Sequence, residues 1–203
     1  MIKYNISYKL PHRHLVDFEL SALTNGVKKM QFQLSAWRPG RYELADFAQN
    51  IINWKAYDDK GEKLYFKKIT KDLWEVDCSR TKEITVIYNF YANQLDAGAC
   101  YLDEHQLYLN PVHCMFYIVD RMEEEYQLNM SIPENYKIAS SMQKKGNTLN
   151  VNGYDLLAES PIICSPNIQH DSYQIDNIDF HIWFQGECKP DWIKLKKDFT
   201  AFT

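Results

Sequence analysis

Short segments that alternate polar and apolar residues recur along most of this 203-residue chain. Such alternation is typical of β-strands that bury one face. The clearest two are residues 84–91 (ITVIYNFY), which are rich in β-branched and aromatic residues, and residues 126–133 (YQLNMSIP), which stop at a proline. Further alternating segments span residues 2–10, 14–23, 30–37, 51–57 and 73–77.

Glycine- and asparagine-containing turns separate these predicted strands. They lie at residues 24–26, 58–61, 144–147 and 151–153. Short strands joined by such turns, with few helical stretches, indicate an antiparallel β-sandwich or one large curved sheet. We therefore predict a mainly β fold.

The last segment of the chain is the exception, because it has a helical pattern. Pro190 and Asp191 suit a helix start, and apolar residues then recur at three- and four-residue steps to form one stripe. The stripe residues are Trp192, Leu195, Phe199 and Phe202. This C-terminal α-helix either docks on its own sheet or leads into a further domain.

Composition excludes several classes of function. The net charge is −4, and lysine and arginine are scattered singly or in pairs, which argues against a nucleic-acid partner. No apolar run approaches the ~20 residues that cross a bilayer. The first residues have a strand pattern rather than that of a secretory signal, so we predict a cytoplasmic location, or a periplasmic one if a leader was removed.

The five cysteines, at positions 78, 100, 114, 164 and 188, form no Cys-x-x-Cys pair. We predict free and mostly buried thiols. His-Glu-x-x-His and Gly-x-Ser-x-Gly are also missing from the sequence. We therefore predict no catalytic or metal-binding residue in this chain. An enzyme that uses Glu104, His105 and His113 is a remote alternative, and we expect hydrogen-bonded or surface histidines instead.

Two segments have compositions that could serve packing or a site. In residues 101–116, amides and aromatic residues surround Asn110-Pro111, which suits the binding of a polar group. The simpler alternative is that Asn110 only caps its own turn. In residues 35–51 (SAWRPGRYELADFAQNI), Pro39 and Gly40 predict a tight turn, and residues 42–47 predict an irregular segment.

This second segment resembles a known signature. Residues 37–51 match Trp-x-Pro-Gly-Ser-Tyr-x-x-Arg-Asp-Phe-x-x-Asn, found in the glycyl aminopeptidase family of zinc metallopeptidases (peptidase family M sixty-one). The matching residues are Trp37, Pro39, Gly40, Tyr42, Asp46, Phe47 and Asn50. Residues 154–162 (YDLLAESPI), which include Ser160 and Pro161, are similar to a second signature of the family. Arg41 and Ala45 depart from the pattern, where the family has serine and arginine.

The resemblance implies a three-part protein of which this chain is the first part. Residues 1–188 would form the N-terminal β domain, and residues 189–203 a helix leading into a catalytic domain that this chain lacks. Zinc and peptide hydrolysis would belong to that domain. The present chain would be non-catalytic and would form a wall of the active-site cleft, with its own catalytic domain and a peptide substrate as partners.

The resemblance also suggests roles for particular residues. By analogy with related aminopeptidases, Gln106, Tyr108 and Asn110 are candidates for the rim of the substrate-amine pocket. In the first signature, we expect Trp37, Tyr42 and Phe47 to anchor the irregular segment in the core and Asp46 to satisfy backbone amides. The alternative to the whole interpretation is a free-standing β-sandwich that binds peptide or carbohydrate and buries its final helix on its own sheet.

Overall fold

A computed structural model describes residues 1–38, 40–41 and 43–203. The strands are β1 (Ile2–Ser7), β2 (Leu15–Leu23), β3 (Lys29–Gln33), β4 (Ile51–Asp58), β5 (Phe66–Lys68), β6 (Leu73–Asp77), β7 (Glu83–Tyr91), β8 (Tyr101–Leu102), β9 (Leu107–Leu109), β10 (Tyr117–Ile118), β11 (Glu125–Met130), β12 (Lys137–Ala139), β13 (Gln143–Lys145), β14 (Thr148–Asn152), β15 (Ile162–Ser165), β16 (Ile168–Ile175) and β17 (Ile178–Gln185). The α-helices are α1 (Pro111–Cys114), α2 (Tyr154–Ala158) and α3 (Trp192–Phe202), and 3-10 turns span Pro11–Arg13 and Phe47–Asn50.

The strands form one large sheet, two smaller sheets and a hairpin. The seven-stranded sheet has the order β13-β14-β11-β1-β2-β7-β4. The four-stranded sheets have the orders β10-β3-β6-β5 and β12-β15-β9-β8, and β16 pairs with β17. All of these pairs are antiparallel except β1 with β11. The predicted mainly β fold with a C-terminal helix is confirmed.

The predicted strands are present, with shifts at their ends. The segment predicted at residues 73–77 has the bounds of β6, whereas the segment predicted at 30–37 ends earlier, at Gln33. The hydrogen bonds between β3 and β6 continue for one more residue, because the backbone amide of Leu34 donates to Asp72 O (2.9 Å), and a bend follows at Ala36.

The core lies between the large sheet and the sheet that contains β3 and β6. Every second residue of β2 and β7 is buried, as their alternation predicts. Phe116 joins the two layers, because its ring meets those of Trp74 (5.1 Å between centroids) and Tyr88 (4.9 Å) edge to face. Edge-to-face contacts are a favoured geometry for aromatic pairs.

Buried tyrosine hydroxyls fix the backbone just after α1. Tyr4 Oη donates to Phe116 O (2.9 Å) and accepts from Phe116 N (2.8 Å). Tyr88 Oη donates to Cys114 O (2.7 Å), and Tyr154 Oη donates to Met115 O (3.2 Å). Burial raises the pKa of Tyr4 and of Tyr88 well above the usual value, so both remain neutral donors. These bonds hold α1, and with it His113, against the core.

The C-terminal hairpin and α3 pack on each other. The Asp191 side chain caps α3 by accepting a hydrogen bond from Lys194 N (3.0 Å). Lys196 forms an ion pair with Asp171 of β16 (2.9 Å). No residue of α3 is buried, however. The predicted apolar stripe is therefore covered only in its first half, and Phe202 is 86% exposed.

The cysteine thiols are free, and one carboxylate of an acidic run is paired with an arginine. The five cysteines are free, and the four that precede Cys188 are buried, as predicted. In the acidic run at residues 123–125, the Glu124 carboxylate accepts two hydrogen bonds from Arg121 (2.6 and 2.9 Å). Within the described ranges, no helix combines the length and the apolar character needed to cross a membrane.

Candidate functional site

The tight turn predicted before the irregular segment is present at Gly40. Arg41 N donates to Arg38 O (3.3 Å), and Gly40 has a φ of 82°. Glycine suits this left-handed backbone because it has no Cβ. The parts of the prediction that concern Pro39 and Tyr42 lie outside the described residues.

Two of the roles expected for the first signature are wrong. Trp37 is 47% exposed, so it does not anchor the segment in the core. The Asp46 side chain does not cap the following 3-10 turn, and its carboxylate lies 3.8 Å from Lys71 Nζ instead. Its neighbourhood is solvent-exposed, where an ion pair replaces the expected amide bonds. Phe47 does pack against the core, as expected.

The signature residues border a cavity of about 410 Å³, which we call the His113 pocket. Its lining includes Arg41, Asp46, Phe47, Asn50, Gly98 and His113. The pocket thus joins the irregular segment and its 3-10 turn to the end of β7, to the loop before β8 and to α1. Asn50, which matches the first signature, contributes an amide to its wall.

His113 is the most perturbed titratable group in this pocket. Its side chain is 5% exposed, and its Nε2 is buried with no hydrogen-bond partner among the residues that the structure describes. Burial, together with the positive charges of Arg38 and Arg41, lowers the pKa of His113 to about 4, although Asp96 opposes the shift. The imidazole is therefore neutral at physiological pH.

Arg38 lies beside Gly98, one of the residues that line this pocket. A Cβ on Gly98 would stand 2.3 Å from Arg38 Nη2, so only glycine leaves room for the guanidinium in this position. Arg38 Nε is buried and has no hydrogen-bond partner within the described part of the chain. Buried polar groups are rarely left unpaired, so this donor needs explanation.

The acidic groups around the pocket already have partners. Arg41 Nε donates to the Glu43 carboxylate (3.1 Å). The Asp96 carboxylate accepts from Gly98 N (2.6 Å) and from Gln94 Nε2 (2.5 Å). None of these bonds reaches Arg38.

The three predicted rim residues differ in how accessible they are. Asn110 is 5% exposed, and its Nδ2 donates to Ala99 O (2.6 Å) and to Tyr108 Oη (3.1 Å). It makes no capping bond at the start of α1, so the simpler capping alternative is not seen either. Asn110 thus holds the backbone before β8. Tyr108 Oη donates to Ala97 O (3.3 Å), whereas the half-exposed Gln106 side chain makes no hydrogen bond with the described residues.

The second signature has a local structural role. Ser160 is buried, and its Oγ donates to Leu156 O (2.6 Å) and accepts from Ser141 Oγ (2.8 Å). These bonds close the end of α2. Pro161 follows at an exposed position and begins the connection into β15.

Two of the remaining histidines form a pair, with 2.9 Å between His170 Nε2 and His181 Nδ1 across the β16–β17 hairpin, whereas His12 and His14 have separate partners. His14 Nδ1 bonds Leu102 O (2.5 Å), and His12 lies 4.0 Å from Glu104, the residue that the enzyme alternative grouped with His113. Across the described ranges, no group of three or more His, Cys, Asp or Glu side chains could hold a metal ion. The residues present therefore do not fit a zinc site, and no chemical step through zinc can be assigned to them.

Sequence reasoning missed the His113 pocket. One signal was present: His113 lies within the apolar run Val112 to Phe116, and a polar residue in such a run is often buried. No sequence pattern indicates that Arg38 lies against Gly98, because this contact depends on how two distant loops meet.

Comparisons with known proteins identify a family and a similar fold. A family model described as the peptidase M61 N-terminal domain matches residues 3–166. No curated protein matches the chain. The structure of an aminopeptidase N family protein from Idiomarina loihiensis aligns with a TM-score of 0.88 and 24% identity. The alignment covers 98% of this chain and 35% of that protein, so this chain spans about a third of its length.

A more distant structure is that of an M1 zinc metallopeptidase from Deinococcus radiodurans bound to a Tyr-Ser-Ala substrate. It has a TM-score of 0.48 and 10% identity, and the alignment covers 96% of this chain and 50% of that one. The Idiomarina likeness shows the fold of nearly the whole chain.

Proposed function

Because the chain belongs to the family of peptidase M61 N-terminal domains, we propose that it is the non-catalytic β domain of a zinc metallo-aminopeptidase. The family match over residues 3–166 carries this proposal. Peptide hydrolysis and the zinc ion belong to a separate catalytic domain of the complete protein. The present chain forms a wall of the active-site cleft beside that domain.

The size of the structural neighbour supports this division of labour. The Idiomarina protein is named as an aminopeptidase N family protein, and this chain covers 35% of it. The remainder of that protein has room for a catalytic domain of the kind that the proposal requires. The peptidase chemistry is thus assigned to a part of the complete protein other than this chain.

Exposed apolar residues near the C-terminus support a domain interface. Ile178 at the hairpin tip is 60% exposed, Ile193 on α3 is 83% exposed and Phe202 is 86% exposed. Large apolar side chains that are this exposed are candidates for contact with another domain. The free-standing module interpretation requires a final helix buried on its own sheet, and α3 has no buried residue.

The loop between β8 and β9 is suited to lining a cleft. Asp103 Oδ1 accepts hydrogen bonds from His105 N and Gln106 N (both 2.8 Å), and Tyr136 Oη donates to Glu104 O (2.8 Å). A loop held in this way is preorganised, which lowers the entropy cost of binding. It presents the Gln106 amide, a group that can bond to a peptide amine or backbone.

The test is to produce the protein encoded by the complete source gene and to measure its zinc content and its hydrolysis of aminoacyl-4-nitroanilides. We expect zinc-dependent hydrolysis by the complete protein and none by residues 1–203 alone. Chelation of zinc should abolish the activity, and added zinc should restore it. A complete protein without zinc or without aminopeptidase activity would contradict the proposal, as would turnover by the 203-residue chain itself.

A further inference from the structure

We propose that the His113 pocket binds a carboxylate group of a peptide, and that Arg38 and His113 donate the hydrogen bonds that hold it. The inference extends the proposed function by giving this chain a ligand site of its own. It depends on that function only in taking a peptide as the source of the carboxylate.

Arg38 is a cation without a partner among the described residues. Arg38 forms no ion pair, and its buried Nε makes no hydrogen bond, within the described part of the chain. A buried donor without an acceptor is costly, and the cost is greater for a charged group. The guanidinium has a fixed planar fork of N–H groups, which matches the two oxygens of a carboxylate. A bound carboxylate would satisfy this donor.

The imidazole of His113, which lines the pocket, is a second buried group with an unsatisfied nitrogen within the described residues. His113 is neutral, so one of its ring nitrogens carries a proton, and its buried Nε2 has no partner among the described residues. With the proton on Nε2, the ring donates one hydrogen bond. Arg38 contacts Gly98, and Gly98 and His113 line the same cavity, so the two donors belong to one region of the fold. An oxygen ligand between them would accept from both.

The charge of the pocket favours a carboxylate over a phosphate. Glu43 and Asp46 line the pocket, Asp96 acts on the His113 ring, and the partners of all three acids are already present. A doubly charged phosphate would be repelled by these three acids more strongly than a singly charged carboxylate. Arg38 then supplies the positive charge that the ligand neutralises.

The rest of the lining suits a peptide chain behind the carboxylate. Side-chain amides from two elements border the cavity, and they can donate to or accept from peptide groups. They belong to Gln49, Asn50, Asn93 and Gln94. A cavity of about 410 Å³ is within the usual range for small-ligand pockets. The aromatic ring of Phe47 supplies an apolar wall.

Gly98 offers a substitution that tests the site with little risk to the fold. In Gly98→Ala the new methyl group would overlap Arg38 Nη2, which is the far end of a flexible side chain and can move away. The φ of Gly98 is not in the left-handed region, so alanine causes no backbone strain. Arg38→Met removes the donors directly. The matched control is Arg80→Met, which removes an exposed arginine elsewhere.

The measurement is a titration of the 203-residue chain with Ala-Ala-Ala, its C-terminal amide, the amide of Ala-Glu-Ala, acetate and phosphate. The readouts are the imidazole NMR signals of His113 and calorimetric affinity. We expect a carboxylate-bearing peptide to shift these signals, and Gly98→Ala and Arg38→Met to weaken its binding at least about tenfold. Arg80→Met should bind as the unchanged protein does. Binding of Ala-Ala-Ala assigns the terminal carboxylate as the source, and binding of Ala-Glu-Ala amide assigns an acidic side chain.

Several results would overturn the inference. The first is equal binding of Ala-Ala-Ala and its amide, together with no binding of Ala-Glu-Ala amide. The second is peptide binding that Gly98→Ala and Arg38→Met leave unaffected. The others are binding of phosphate alone and the lack of any shift of the His113 signals up to about 20 mM peptide. The NMR spectra of both variants report whether each remains folded. Since no peptidase activity is measured, failure here is distinct from failure of the proposed function.

Discussion

The imidazole of His113 stacks on the ring of Phe47, with 3.9 Å between the ring centroids and 18° between the ring planes. The contact joins α1 to the 3-10 turn that carries the first family signature. The signature segment and α1 therefore form one unit beside the His113 pocket. A substitution in either segment should therefore alter the environment of the other.

The depressed pKa of His113 predicts a pH-dependent stability. The folded-state pKa is about 4, below the unfolded value of about 6.5, so the unfolded chain binds the proton more readily. Stability should therefore fall as pH falls from about 6.5 to about 4, by about 2 kcal/mol at about pH 5. Urea unfolding at about pH 7.5 and about pH 5 measures the difference.

The control for this prediction is His113→Asn, which cannot titrate. Its stability should change less between the two pH values than that of the unchanged protein. Burial also lowers the pKa of His170, but this background is common to both proteins. The account fails if the two proteins lose the same free energy, or if NMR gives His113 an ordinary pKa.

Removing the Tyr4 hydroxyl should destabilise the fold by about 2 kcal/mol. Tyr4→Phe loses the bonds to Phe116 O and Phe116 N and leaves that buried amide without an acceptor. Tyr65→Phe is the control, because Tyr65 is 66% exposed, and its effect should be within about 0.5 kcal/mol. Denaturant unfolding compares the two, and equal effects would show that the bridge is unimportant.

The paired carboxylate of Glu124 predicts a second pH effect, at acid pH. Hydrogen bonds from Arg121 lower the pKa of Glu124 to about 2, so the stabilisation is complete above its ordinary pKa and is lost as pH falls towards 2. Glu124→Gln should cost about 1–2 kcal/mol at neutral pH, allowing for partial exposure, and much less at about pH 2. Glu123→Gln, at an exposed position, should have little effect at either pH. A constant cost for Glu124→Gln would argue against the ion pair.

In the complete enzyme, Gln106→Ala tests whether the loop after β8 contacts substrate. If the amide binds substrate and transition state equally, KM should rise about three- to tenfold while kcat changes less than about twofold. His105→Ala changes the exposed neighbouring side chain and should leave both constants near their original values. Unchanged kinetics in Gln106→Ala would remove this residue from the cleft wall.

The strands could be predicted because burial of one sheet face leaves a period of two in the sequence. The bounds of β6 followed from this pattern alone. The hairpin of β16 and β17 was not predicted, because its residues are mostly half-buried or exposed and the apolar alternation is weak. The parallel pairing of β1 with β11 depends on contacts between distant segments, which no local pattern contains.

The candidate site could be predicted only as a location. The family signature marked Asp46, Phe47 and Asn50, which all line the His113 pocket. The expected roles of Trp37 and Asp46 were wrong, because an aromatic or acidic residue in an irregular segment can face solvent as easily as the core. The Asn110 amide donates its hydrogen bonds to backbone carbonyls, and these bonds depend on loop geometry that the sequence does not show.

Hydrogen–deuterium exchange tests most directly whether this chain is one wall of a larger enzyme. Amides of α3 and of the loop between β8 and β9 should exchange more slowly in the protein from the complete gene than in residues 1–203 alone. The exposed turn at Asp58–Gly61 lies away from both regions in sequence and serves as the reference. Slower exchange in α3 and the loop, with an unchanged turn, is the predicted result. Identical exchange of α3 and the loop in the two proteins would contradict the account.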